Sequence, residues 1–368
     1  MTNSVVIGSG WHPEIFRIEA SQLIGSCKFI HAHALECTEK KAEKLIDRSS
    51  IFVEILSPGG SVPLENAVSE IVEQFLSLKL EGSVAVSATR TGSKVDGWSG
   101  RHIPSEVGAL LVEAGYKIDL TNPDMQLRIH LLAPQENPPP NPDDFTADPV
   151  IAWGVTKCRG DDWVKRKAPK RPFFKPVSLN PRLARAMVNI AIPNKGNLLD
   201  PFCGTGGLVI EGILCGIESF GSDLAWPMVT GTRQNAVWAQ ELGGTGDYEI
   251  RNSSSLELKD CWEQQFDGFV FDPPYGRNSW KSSDEDIELF EGTLHACTQV
   301  SAEMANLVTL IPWDPRFLNE PVESGFSFGH SWRRIEKAFI DSGWSIQSTA
   351  PIRVHGSLAR LLIHAERK

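Results

Sequence analysis

The chain has 368 residues, 41% hydrophobic and 22% charged, a globular composition with room for two or three domains that excludes a disordered chain. No apolar run approaches the ~18 residues of a spanning helix, and residues 1–10 carry no basic cluster ahead of an apolar core, so neither membrane association nor a secretory signal is expected. Seven cysteines without a CxxC pair argue against a disulfide framework and for a reducing cytoplasm, while a net charge of −10 argues, on average, against nucleic-acid binding.

Taken in chain order, the first 50 residues are little marked, apart from a helix expected near 40–46. Over 65–80, Val68, Ile71, Val72, Phe75 and Leu76 repeat at helical spacing and give one buried stripe. A strand is predicted at 83–87. A second amphipathic helix opens at Pro104 and stops at Gly115. Alternation over 125–131 sets Met125, Leu127, Ile129 and Leu131 on one face of a strand. These elements imply a small α+β domain over about 50–132, within an N-terminal region of residues 1–132.

Residues 133–149 hold six prolines and almost nothing to bury, the mark of an extended spacer. Between Lys157 and Arg185 the average charge is reversed. Ten Lys and Arg face only Asp161 and Asp162, so this stretch carries +8 and the rest of the chain −18. A basic stripe on an acidic protein is a positional signal, since non-specific attraction would spread more widely. A Pro-rich, then basic linker is therefore expected over 133–175, followed by a second domain at 176–368.

In that second domain, strand candidates at 197–202, 219–223, 248–252, 269–272 and 306–312 alternate with helical stretches, which implies parallel strands joined by crossovers. The last two candidates, 345–354 and 358–365, are too close for a crossover and must run antiparallel. The fold class is thus α/β, a doubly wound, mostly parallel sheet ending in a reversed pair, behind a smaller α+β domain.

Three strand ends carry the chemistry. Residues 198–207 (LLDPFCGTGG) run from a strand through a glycine turn into a helix. Glycines at that edge let a ligand lie on the backbone, yet no GxGxxG is present. Asp200 would repel a phosphate and suits a positive group, such as the amino end of an amino-acid moiety. Asp223, twenty-three residues on, has the spacing of an acid that holds ribose hydroxyls. The strongest signal is Phe271-Asp272-Pro273-Pro274-Tyr275-Gly276. Its prolines offer carbonyls without N–H groups, so a carboxylate and a rigid carbonyl are set to accept both hydrogens of a planar exocyclic amine. The Tyr275 ring offers a stacking face worth about 1–3 kcal/mol. Cys203 reads as a packing residue and not a nucleophile. Of the eleven tryptophans, Trp280 is the candidate for the base pocket, and the nine histidines show no metal-ligand spacing, so no metal is assigned.

DPFCGTGG followed by DPPYG resembles the class I S-adenosylmethionine-dependent amino-methyltransferases, whose Rossmann-like sheet ends in a β-hairpin. The approach segment 171–176 (RPFFKP) and then 180–189 (NPRLARAMVN) narrow the resemblance to the archaeal tRNA guanosine-10 N2-methyltransferases, in which a THUMP domain precedes the catalytic one. Thr89-Arg90 and the stretch 117–124 are similar to the end of a THUMP domain. The resemblance implies that Asp200, Phe202, Gly204, Thr205 and Gly206 form the methionine-end pocket for S-adenosylmethionine. Asp223 would hold the ribose. Asn252 stands where the family has an Asp for the adenine amine, with Ser253 sharing the role. Asp272, Pro273, Pro274 and Tyr275 would hold the target guanine. tRNA is the implied partner, joined in some relatives by a small zinc-binding activator protein, and the setting is cytoplasmic.

For RNA contact the candidates are Lys165, Arg166, Lys167, Lys170 and Arg171 in the basic segment, with Arg90, Lys94 and Arg101 ahead of it. Residues 51–132 hold only six basic residues against ten acidic ones, so few side chains there suit RNA. Two other functions fit parts of the pattern. An adenine N6-methyltransferase acting on RNA or DNA would share the DPPY turn, and a non-catalytic RNA-binding protein would share the fold.

Overall fold

The computed structural model describes residues 3–96, 98–134, 148–160, 163–176, 178–274, 284–356 and 358–368. Two compact units divide the chain, residues 1–161 and 162–368.

The first unit contains β1 (Asn3–Gly8), α1 (Pro13–Ile24), β2 (Lys28–His31), β3 (Ala34–Thr38), α2 (Glu39–Arg48), β4 (Phe52–Pro63), α3 (Ala67–Ser77), β5 (Val84–Thr91), α4 (His102–Glu113), β6 (Met125–Leu132) and β7 (Val150–Arg159). They form one seven-stranded sheet in the order β2-β3-β1-β4-β7-β6-β5. Helices α3 and α4 pack on one face around Ile71, Phe75, Val107, Leu111, Leu127 and Ile129, so the periodic stripes do face a common core. Two expectations change. The sheet begins at residue 3 instead of about 50, and part of the expected linker is β7, paired with both β4 and β6. The six prolines end at Pro149; the next ten residues keep every N–H, and they bury Ile151, Ala152 and Trp153 on both sheet faces.

The second unit contains α5 (Pro181–Ala191), β8 (Asn197–Asp200), α6 (Gly207–Leu214), β9 (Glu218–Asp223), α7 (Trp226–Glu241), β10 (Tyr248–Asn252), α8 (Leu258–Cys261), β11 (Phe266–Phe271), α9 (Asp284–Gln299), β12 (Ser301–Trp313), β13 (Phe326–Ser327), β14 (His330–Ser331), α10 (Trp332–Asp341), β15 (Trp344–His355) and β16 (Leu358–Arg367). Asn180 caps α5 by accepting from the Arg182 N–H, and Pro181 fills the first helical position, where a missing donor is harmless. The seven-stranded sheet runs β10-β9-β8-β11-β12-β16-β15. Strands β8 to β12 are parallel, while β16 runs antiparallel to both β12 and β15. Phe269, Val270 and Phe271 of β11 are fully buried, as a central parallel strand covered on both faces requires. Strand order reverses between β8 and β11, and such sheets bind ligands outside the carboxyl ends of their strands at that point.

Candidate active site

β8 ends where Pro201 removes a ladder donor, which leaves Asp200 as its last residue. The chain then turns back over the sheet edge. Cys203 N donates to Ser222 O at 2.9 Å and ties the turn to β9. Gly206 takes φ +77°, and a Cβ there would meet Thr232 Cγ2 at 2.8 Å, so the turn closes only around glycine. Phe202 packs toward Phe271 with ring centroids 6.0 Å apart, linking the first loop to the end of β11.

Three carboxylates meet on one cavity of about 670 Å³, within the range of small-molecule sites. Asp200 is buried and accepts from Phe202 N at 3.0 Å. Burial pushes its pKa well above the usual carboxylate range, and the negative charges of Asp223 and Asp272 push it further. Asp223 braces the glycine turn, accepting from Gly204 N at 3.0 Å and from Ala225 N at 2.8 Å. Asp272 follows β11, and its Oδ2 accepts from Arg360 NH1 at 2.6 Å. Burial raises the Asp272 pKa and the guanidinium partly offsets that rise.

The same wall brings together Asp200, Phe202, Gly204, Thr205, Asp223, Asp272, Pro273 and Pro274 of the residues expected from sequence. Gly206 is set back from it as the cap of α6. Asn252 and Ser253 are not on the wall either. The Asn252 amide donates to the carbonyls of Asp223 and Leu224 at 2.8 and 2.9 Å, and Ser254 and Ser255 line the cavity in their place. Tyr275 and Trp280 lie outside the described residues. Cys203 is buried in the turn, and desolvation raises its thiol pKa, the opposite of an activated nucleophile. Sequence reasoning missed Lys175, Ser178 and Arg360 on this wall. The first two had a usable signal, since they follow Arg171-Pro172-Phe173-Phe174 directly. Arg360 had none, lying 88 residues beyond its partner.

The basic segment divides in two. Lys165, Lys167 and Lys170 are exposed. Arg166 and Arg185 instead bond the two oxygens of Glu211, a fully buried residue of α6, at 3.1 and 2.9 Å. Arg171 is buried beside them and donates to Arg166 O. Arg166 and Arg171 therefore face the interior and not solvent, a distinction that counting charges along the chain does not make. In the first unit, Arg90 near the end of β5, Lys94 beyond it and Arg101 just ahead of α4 are all exposed. Among the described residues no helix is long and apolar enough to cross a membrane, and no group of three or more His, Cys, Asp or Glu is placed to hold a metal ion.

Residues 169–326 match the family model of the RMKL-like methyltransferase domain. The chain is 30% identical over 332 residues to the tRNA (guanine(10)-N2)-dimethyltransferase of Methanothermobacter thermautotrophicus, covering 90% of this chain and 86% of that one. It is 28% identical over 240 residues to the protein of the same name from Pyrococcus abyssi, covering 65% and 66%. Among solved structures, TrmN from Thermus thermophilus aligns over 100% of both chains with a TM-score of 0.51 and 16% identity, a likeness of fold.

Proposed function

The chain belongs to the archaeal tRNA (guanine(10)-N2)-dimethyltransferase family, and on that premise we propose that its second unit carries methyl groups from S-adenosylmethionine to the exocyclic N2 of guanosine 10 in tRNA, in two successive rounds. One observation carries the reading: Asp200, Asp223 and the Asp272-Pro273-Pro274 turn share a single cavity at the point where strand order reverses. The donor's charge suits that wall. A buried carboxylate beside two others is relieved by a ligand that brings positive charge, and a phosphate would be repelled.

In the proposed assignment Asp200 takes the ammonium of the methionine end, Gly204 and Thr205 line its approach, and Asp223 holds the ribose diol. Ser254 and Ser255 take over the adenine end from Asn252 and Ser253. S-adenosylmethionine, when bound, supplies a methyl group already activated by its sulfonium. In the first round Asp272 and the Pro273 carbonyl accept the two N2 hydrogens, in the second Asp272 accepts the one that remains, and each time the nitrogen lone pair is turned toward that carbon. As the N–C bond forms, the C–S electron pair stays with sulfur and one N2 proton leaves to the Asp272 carboxylate. The protein's contribution is mainly alignment in a water-poor site. A guanine within folded tRNA must be extruded to reach it, at a cost of a few kcal/mol. Lys165, Lys167 and Lys170, with Arg90, Lys94 and Arg101, are assigned to phosphate contacts that position the RNA.

Incubating the purified chain with S-adenosylmethionine and a tRNA transcript, then digesting to nucleosides for mass spectrometry, tests this. N2-methyl and N2,N2-dimethylguanosine are expected, and a transcript with adenosine at position 10 should stay unmodified. Methylation of that adenosine would replace guanine N2 by adenine N6 as the target. Transfer that appears only with a second subunit added would identify a need for an activator.

A further inference from the structure

The ion pair between Asp272 and Arg360 joins two chain segments 88 residues apart. Asp272 lies beyond the end of β11, Arg360 is on β16, and β12 runs between those strands with Pro312 opposite Arg360. Arginine and a carboxylate frequently meet as a fork, two N–H groups on two oxygens. Here a single contact is made, NH1 to Oδ2. Asp272 Oδ1 and Arg360 Nε are both buried and have no hydrogen-bond partner among the described residues. Each such group costs free energy unless something else satisfies it. The pair therefore holds one acceptor and one donor in reserve at the wall of the cavity that both residues line.

Resting on the function proposed above, we propose that Arg360 is the positioning residue for methyl transfer: by occupying Asp272 Oδ2 it fixes the carboxylate and leaves Oδ1 to accept a hydrogen of the guanine amine. Among the described residues, the remaining charged or titratable groups on the wall are Asp200 from β8, Cys203 from the glycine turn, Asp223 from β9 and Lys175 from the segment before α5, while β12 and α9 contribute the uncharged Pro312 and Leu289. Among the described residues the side chain bonded to Asp272 is none of these but Arg360. Desolvation favours the protonated acid, and Arg360 opposes it. A protonated Asp272 cannot take up the departing proton, so the guanidinium keeps the turn competent as pH falls.

Arg360→Gln and Arg360→Lys test this, with single-turnover methyl transfer to tRNA measured from about pH 5 to 9. An opposite charge at this range moves a carboxylate by about 1–3 pH units, so the acid limb of the rate should move up by that amount in R360Q and return most of the way in R360K. The 13C-carboxyl signal of Asp272, assigned by its loss in D272N, should titrate with the same displacement. Calorimetric affinity for S-adenosylmethionine should stay within about twofold, since Arg360 has no assigned part in holding the donor. An active wild type whose acid limb does not move in R360Q overturns this role alone. A limb that moves while the Asp272 signal does not would also overturn it, because Arg360 would then act through another group. A wild type that transfers nothing to tRNA overturns the proposed function itself, and this role with it.

Discussion

Replacing Asp200 by Asn should move stability and ligand affinity in opposite directions. The carboxyl is buried, and the backbone N–H of Phe202 is bonded to its Oδ1 at 3.0 Å. Burial first, then Asp223 and Asp272, hold its pKa well up. The folded chain therefore binds this proton more tightly than the unfolded chain, and the ionised group opposes folding once pH rises above the unfolded value of about 3.9. Asn keeps the shape and the acceptor for Phe202 while removing the charge. Relief at such sites commonly adds about 0.5–2 kcal/mol, a rise in Tm of about 1–8 °C for a unit of this size. The gain should vanish at about pH 3, where both states hold the proton, and should grow until pH passes the folded-state value. In the same variant the ligand's ammonium loses its carboxylate. Breaking a buried charge pair costs about 2–5 kcal/mol, so the Kd for S-adenosylmethionine should weaken by about 30- to 5,000-fold. Thermal denaturation from pH 3 to 8 and isothermal titration measure the two arms. A lower Tm at pH 7, or an unchanged Kd, would refute the assignment of Asp200 as a strained, ligand-facing carboxylate.

Three further outcomes are expected. Asp272→Asn should lower single-turnover transfer by about 10²–10⁴-fold while affinity for S-adenosylmethionine stays within a few-fold; equal loss of both would move Asp272 into the donor site. Reversing Lys165, Lys167 and Lys170 to Glu should weaken tRNA binding and flatten its log–log salt dependence by about 2–3, and an unchanged slope would route the RNA elsewhere. Glu211→Gln should destabilise the second unit by about 3–5 kcal/mol, because it leaves Arg166 and Arg185 buried without their carboxylate. A loss below about 1 kcal/mol in a denaturant titration would mean that water reaches those guanidinium groups.

Much of this was legible in the sequence because the signals were local. Asp200 and Asp223 sit at strand ends, each followed within a few residues by a turn whose chemistry is written in the same stretch: Pro201, Gly204 and Gly206 after one, Ala225 and Trp226 after the other. The reversed pair β15 and β16 followed from spacing alone, since the three residues between the two strand candidates cannot hold a crossover. Over the first 50 residues the strands are too short, at four to six residues each, for alternation to be read. In β1, moreover, Val5, Val6 and Ile7 are buried on both faces and do not alternate at all. β7 was hidden differently, behind a proline run that ends one residue before it begins.

Counter-charges escaped the reading for a deeper reason. A loop that must turn at a strand end needs particular residues at particular offsets, so its role is recorded along the chain. The charge that balances a buried group is free to come from any segment the fold brings near. Glu211 meets Arg166 and Arg185 from 45 and 26 residues away, and Asp272 meets Arg360 from 88. Counting charges in 157–185 therefore merged two populations, exposed groups such as Lys165, Lys167 and Lys170, and Arg166, Arg171 and Arg185, which belong to the interior. The same rule explains why the acids of the cavity could be placed from sequence and Arg360 could not. Pro312 stands opposite Arg360 only once β12 and β16 have paired in their observed register. A slip of that register by one residue would turn Arg360 to the other face of the sheet and leave Asp272 without its guanidinium, so what the turn at Asp272 can do depends on an alignment that no part of the turn specifies.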